Sequence, residues 1–134
     1  MPMNYSENEK IVCDFLGLWK TQNVDAMIGY FTEDATYIDI PLPPRHGVAE
    51  IRRYIEQVFS AFSVTIDTRH IVSAGDLVFT ERVDVLRRNG SEASSVGLPV
   101  VGVMEMRAGK IAHWRDYFDL RTAEEGLGIK IRPD

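Results

Sequence analysis

Ile11, Val12, Phe15, Leu16, Leu18 and Trp19 fall at the spacing of one helix face and predict an amphipathic helix over residues 7–22. Asn23 offers a capping side chain, with Asp25 in the next turn, so a second, short helix is expected to run to Phe31. Residues 35–40 are β-branched and aromatic and read as a strand, which Pro41-Leu42-Pro43-Pro44 stops. Helical spacing returns over residues 47–62 in Val48, Ile51, Ile55, Val58, Phe59 and Phe62. From residue 64 the period becomes two. Residues 64–72, 77–86, 93–106 and 110–119 read as strands. Turns are expected at Ala74-Gly75-Asp76, at Asn89-Gly90 within 87–92, and at 107–109. A short helical signal over 122–127 precedes Gly128 and a polar tail. Helices first and a meander of antiparallel strands afterwards is the α+β pattern. Such a sheet is covered on one face by its helices, and strong curvature leaves a pocket between the two layers. No repeat, low-complexity segment or linker divides residues 1–134, so one domain is expected.

Composition narrows the function. The 134 residues are 45% hydrophobic and 26% charged, as in a globular domain, and a chain this long buries roughly two-thirds of its unfolded surface. Fifteen Lys and Arg against twenty Asp and Glu give a net charge of −5, which disfavours nucleic acid as a partner. No stretch approaches the ~20 apolar residues of a membrane helix. The most apolar run, 96–104, is broken by Gly97, Pro99 and Gly102. Residues 1–10 are polar and acidic, unlike a signal peptide, so the expectation is a cytoplasmic protein without a membrane partner. Cys13 lies among Ile11, Val12 and Phe15 and is expected to be a buried, inert thiol. His46, His70 and His113 lack metal-ligand spacing and read as surface or strand-edge residues. Phosphate-cradling glycine loops, zinc motifs and nucleophile elbows are missing from the sequence, which favours cofactor-free chemistry or plain binding.

Candidate chemistry appears when each strand is sorted into its two faces. Val78, Thr80, Arg82, Asp84 and Leu86 share one face of their strand, so Arg82 and Asp84 point the same way among apolar neighbours. Ala112, Trp114, Asp116 and Phe118 share a face of the last strand, leaving Asp116 a lone carboxylate between two aromatics. Ala35, Tyr37 and Asp39 share a face of the first strand. A strand Arg–Asp pair is often only a solvated or scaffold pair, and a lone tyrosine is more often core than catalytic. With the polar-bearing faces turned into the pocket, however, two carboxylates meet one arginine in an apolar cavity. Buried charge is costly unless paired, and an arginine forked between two carboxylates supplies the pairing. One carboxyl is then driven to keep its proton. An unperturbed Asp titrates near ~3.9, so holding a proton at neutral pH requires a pKa of roughly 7. A protonated acid beside an ionised base is a push–pull arrangement for adding water across a strained bond.

Three segments carry a resemblance: Tyr37-Ile38-Asp39-Ile40-Pro41-Leu42-Pro43-Pro44, Phe79-Thr80-Glu81-Arg82-Val83-Asp84-Val85-Leu86, and Gly109-Lys110-Ile111-Ala112-His113-Trp114-Arg115-Asp116-Tyr117-Phe118-Asp119-Leu120. Together they resemble the limonene-1,2-epoxide hydrolase family, with weaker similarity along nearly the whole chain. The resemblance implies a nuclear-transport-factor-2-like (cystatin-like) α+β cone: a strongly curved mixed, mostly antiparallel sheet with N-terminal helices over a deep apolar pocket. It also implies a homodimer, no metal or cofactor, and one-step hydrolysis of an epoxide by activated water. The family's general acid falls on Asp84, its base on Asp116, its bridging arginine on Arg82 and its water-holding tyrosine on Tyr37. Where the family has an asparagine as the second water support, this sequence has Asp39. An amide donates or accepts, whereas an ionised carboxylate only accepts, so Asp39 is expected to share or to impair the base role.

Leu16, Trp19, Val58, Phe62, Val64, Leu86, Leu98, Val100 and Ile131 are the expected pocket wall, placed by element face and by the resemblance. All are apolar, so the expected partners are a small lipophilic epoxide and water. Two other classes of function stay open: an isomerase or polyketide-cyclase-like enzyme on the same fold, and a small-molecule-binding dimer without catalysis.

Overall fold

Helix α1 (Glu7–Leu18) starts where Ser6 accepts a hydrogen bond from the Glu9 amide and Glu9 reaches back to the Ser6 amide, a capping box. The helix expected over 7–22 does not run through. The Thr21 hydroxyl donates to the Leu18 carbonyl at 2.6 Å, residues Trp19–Thr21 tighten into a 3₁₀ turn, and Gln22 leaves in left-handed backbone with φ 58°. Asn23 then accepts from the Ala26 amide at 3.1 Å and starts α2 (Val24–Ile28). This helix ends before Phe31, because Phe31 already pairs with Ile111 at the start of β1 (Phe31–Ile40), a longer strand than expected.

The proline run does more than stop β1. The Leu42 amide donates to the Asp39 carbonyl at 2.6 Å, and the chain doubles back as a two-residue strand, β2 (Arg45–His46), opposite Thr36 and Tyr37. Helix α3 (Gly47–Ala61) follows, then β3 (Phe62–Ala74), β4 (Leu77–Arg88), β5 (Ser95–Arg107), β6 (Lys110–Tyr117) and α4 (Leu120–Leu127). The computed structural model describes residues 5–91 and 95–132, so the expected start of the third meander strand at residue 93 lies outside the described residues.

The six strands form one sheet in the order β2-β1-β6-β5-β4-β3. Every neighbouring pair is antiparallel except β1 with β6, which run parallel. The fold is thus the expected mixed, mostly antiparallel α+β architecture. Register shifts between Thr68 and His70 and between Glu105 and Met106 bend the long strands, and the sheet curls without closing. Helices α1 and α3 fill the concave side. Val12, Phe15 and Leu16 of α1 and Ile51 and Ile55 of α3 pack against Val64, Val78, Met104 and Trp114 of the sheet. Phe15 is the hub, with its ring 5.0 Å from Trp114 and 5.2 Å from Phe31, both edge-on. A smaller cluster of Leu98, Val100 and Ala123 seats α4 on β5. Among the described residues, no helix is long and apolar enough to cross a membrane.

Cys13 is half-buried rather than enclosed. Burial first, then the charges of Asp14 and Glu9, lift its thiol above the ordinary range, so it stays protonated. His46 and His70 are exposed, His70 pairing with Glu81, and half-buried His113 bonds to the Thr36 hydroxyl.

Candidate active site

Strand register places the polar groups in one row. Thr80 of β4 faces Gly102 of β5, Gly102 faces Asp116 of β6, and Asp116 faces Asp39 of β1. The row below it, Val78, Met104, Trp114 and Tyr37, is buried and apolar but for the phenol, and its Trp114 and Tyr37 border the cavity. Tyr37 stacks flat on Trp114, centroids 5.7 Å apart with 2° between planes.

Arg82 sits one pleat above Thr80 and crosses over β5 to reach β6. Its Nε and Nη2 donate to Asp84 Oδ1 and Oδ2 at 3.0 and 2.8 Å. Its Nη1 and Nη2 donate to Asp116 Oδ1 and Oδ2, both at 3.1 Å. The remaining Nη1 hydrogen goes to Thr80 Oγ1 at 3.0 Å. All five guanidinium donors are therefore used. The side chain is 1% exposed, against 15% for Asp84 and 7% for Asp116. Burial pulls the guanidinium down, but Asp116 and Asp84 together lift it above its ordinary value, so it stays charged. Asp84 is raised: burial outweighs the two Arg82 bonds that pull it down, and Asp116 adds to the rise. Tyr37 is held well above its usual range by burial and then by Asp116, so its phenol keeps its hydrogen as a donor.

The guanidinium can cross β5 only because residue 102 is glycine. A Cβ there would overlap Arg82 Nη1 and lie 2.8 Å from Asp116 Oδ1 and 3.0 Å from Thr80 Oγ1.

Asp39 has its own arginine. Arg45, returned by the β2 hairpin, donates through Nη1 to Asp39 Oδ2 at 3.1 Å. The Arg45 guanidinium carbon stands 3.5 Å from the centre of the Tyr54 ring, and the Tyr54 hydroxyl hydrogen-bonds to Asp39. Even so, burial and then Asp116 lift Asp39 from 3.8 to about 6.

These groups converge on a cavity of about 210 Å³. Leu16 and Trp19 line it from the end of α1, Val58 from α3, and Phe62 and Val64 from β3. Leu86 of β4, Leu98 and Val100 of β5 and Ile131 of the tail also line it, joined by Leu42, Ile66, Phe118, Ala123, Leu127 and Ile129, which the sequence reading did not place there. Tyr37, Asp39, Arg82, Asp84 and Asp116 all border the same space. Three carboxyls and two guanidiniums face it, so a single proton makes the set neutral. The arrangement can therefore present one protonated and one ionised carboxyl to a bound molecule.

Sequence reasoning missed four members of this assembly. Tyr54 lies on the apolar face of α3 beside Ile51, Ile55 and Val58, so a polar-tipped aromatic on a core-facing stripe was a usable signal. Gly102 inside a strand signals a close approach, and Thr80 shares the face of Arg82. Arg45 had no local signal, since its place depends on the hairpin return.

A family model described as SnoaL-like domain matches residues 12–114. An LEH-like epoxide hydrolase from M. tuberculosis is similar at 26% identity and TM-score 0.80, covering 90% of this chain and 89% of that one. A protein of ketosteroid isomerase-like fold from Catenulispora acidiphila, solved with trimethylamine, has 22% identity and TM-score 0.80 over 92% of this chain and 98% of its own. A proposed polyketide cyclase from Xanthomonas campestris has 18% identity and TM-score 0.79 over 90% and 96%. The last two share the fold alone.

Gly102→Ala is expected to cost roughly 1–3 kcal/mol through overpacking against Arg82, read from urea unfolding. Asp39 binds its proton more tightly folded than unfolded. Its contribution to stability is thus full below 3.8 and is lost as pH rises through about 6. Unfolding midpoints should fall with pH across that window in the wild type and stay flatter in Asp39→Asn.

Proposed function

The chain belongs to the SnoaL-like domain family, and within it we propose that it is a cofactor-independent hydrolase that adds water to a small lipophilic epoxide and releases a vicinal diol. The observation that carries this reading is the Arg82 fork, which ties two carboxyls into one unit bordering an apolar cavity. A proton-shuttling isomerase needs only one base. Water addition needs an acid and a base together, because an alkoxide leaves poorly and water attacks weakly. The similarity to the LEH-like epoxide hydrolase and the sequence resemblance to the limonene-1,2-epoxide hydrolases support the same assignment.

In the proposed step a water oxygen bonds to one ring carbon as the bond from that carbon to the epoxide oxygen breaks. Asp84, raised by burial, gives its proton to the departing oxygen. Asp116 takes a proton from the water, while Tyr37 and Asp39 orient it. Arg82 stays charged throughout and holds both carboxyls in place. After the diol leaves, proton exchange with solvent returns Asp84 to its acid form and Asp116 to its base form. The apolar wall excludes competing water and selects a lipophilic substrate.

We further propose that two copies pair through the opposite face of the sheet. Phe79, Val101 and Tyr117 are exposed there: Val101 lies opposite Tyr117, and Phe79 lies one row away opposite Val103, with Glu81 and Arg115 at the ends of these two rows. An apolar patch on a sheet face suits a second copy of the same chain.

Two measurements test these readings. In ¹⁸O-labelled water an epoxide panel should yield labelled diols, and Asp84→Asn or Asp116→Asn should each lower kcat by at least ~10²-fold while the protein stays folded. Full activity in either variant, or rearranged product without label, overturns the hydrolase. Sedimentation should show a dimer that Val101→Glu converts to monomer; an unchanged sedimentation coefficient removes this face as the interface.

A further inference from the structure

The cavity holds a second ion pair, Asp39 with the partly exposed Arg45, that the Arg82 fork does not require. Asp39 and Asp116 are direct partners across the parallel pair β1·β6, where strands lie ~4.7–4.9 Å apart. Arg82 engages Asp116 with two bonds from the β4 side. Arg45 engages Asp39 from the β2 side, and Tyr54 joins it from α3. The order across the site is therefore Asp84, Arg82, Asp116, Asp39, Arg45. The only like-charge neighbours in it are the two central carboxyls, each pinned by its own arginine.

A carboxylate in the place of the family's amide would, left alone, oppose a second charge on Asp116 and take up a proton. It would then lose its use as an acceptor. Among the described residues Arg45 is the cation paired with it, and the Tyr54 face offsets the cost of holding that cation at 21% exposure.

We propose that Arg45 is a positioning residue that, with Tyr54, holds Asp39 as an ionised second acceptor beside Asp116, so that the reacting water is gripped by two carboxylates. The inference rests on the hydrolase reading above. In the step described there the attacking water gives one proton to Asp116 and a hydrogen bond to Asp39. No proton passes to Asp39, and the broken C–O bond's electron pair goes to the oxygen protonated by Asp84. The groups facing Asp39 are Asp116 of β6, Arg45 of β2, Tyr54 of α3 and Tyr37 of its own strand, with Arg82 and Asp84 of β4 beyond Asp116. The rise of Asp39 to about 6 is consistent with a site where Arg45 only partly offsets burial and Asp116.

The test is a pH–rate series on cyclohexene oxide for the wild type, Arg45→Met, Arg45→Lys, Asp39→Asn and the double variant Asp39→Asn/Arg45→Met. Arg45→Met should move the acid limb of kcat upward by about one pH unit with KM little changed, and Arg45→Lys should restore most of that shift. The double variant, with neither charge, should be more active at acid pH than Arg45→Met alone, a strong departure from additivity. An unmoved acid limb, additive losses, or a rise in KM with no change in the pH profile would each overturn the proposal, the last making Arg45 a substrate contact. Carboxyl ¹³C titration of Asp39 in wild type and Arg45→Met gives a readout independent of turnover. An upward midpoint in the variant supports the pair, and an unchanged midpoint overturns it. Should the wild type hydrolyse no epoxide, the hydrolase reading falls, while this titration still decides whether Arg45 governs Asp39.

Discussion

A single guanidinium, that of Arg82, organises the concave side of the sheet. Taking a cation out of water costs several kcal/mol unless every donor is matched, and here all five hydrogens have acceptors on β4 and β6. That requirement fixes the rotamers of Asp84, Asp116 and Thr80 and demands a glycine where the side chain crosses β5. The same bonds that make the burial tolerable set the separation and orientation of the two carboxyls. Scaffold and candidate site therefore cannot be altered independently at this point.

Charge then follows from counting. Three acids and two guanidiniums line one apolar space, and burial discourages an unbalanced charge there. Both Asp84 and Asp39 respond with raised pKa values, one beside a fully engaged arginine and the other beside a partly exposed one. Asp39, opposite Asp116, would by itself be a second carboxylate charge with nothing to balance it. The hairpin return that delivers Arg45, and the tyrosine face beneath it, make Asp39 half of a second balanced pair.

The fold itself does not select this chemistry. A protein described by its ketosteroid isomerase-like fold and a proposed polyketide cyclase share it. The chemistry proposed above rests instead on particular side chains, the Asp84–Arg82–Asp116 unit above the stacked rings of Trp114 and Tyr37.

The periods of the sequence determined the elements and their faces. A repeat of two marks which side chains share a sheet face, so Arg82 with Asp84, and Asp116 with Trp114, were readable because alternation is a property of the backbone alone. The wall from Leu16 to Ile131 was readable from faces and from the family resemblance together. The break at Trp19–Thr21, the early entry into β1 and the two-residue strand β2 were decided by tertiary structure, because each depends on pairing with a distant segment that leaves no local pattern. Register across strands was likewise invisible. It alone makes Gly102 the gap beneath Arg82, and sets Asp39 opposite Asp116 with Arg45 at its back. A sequence specifies which way a side chain points along its own strand; which side chain it meets is set by how the strands are paired.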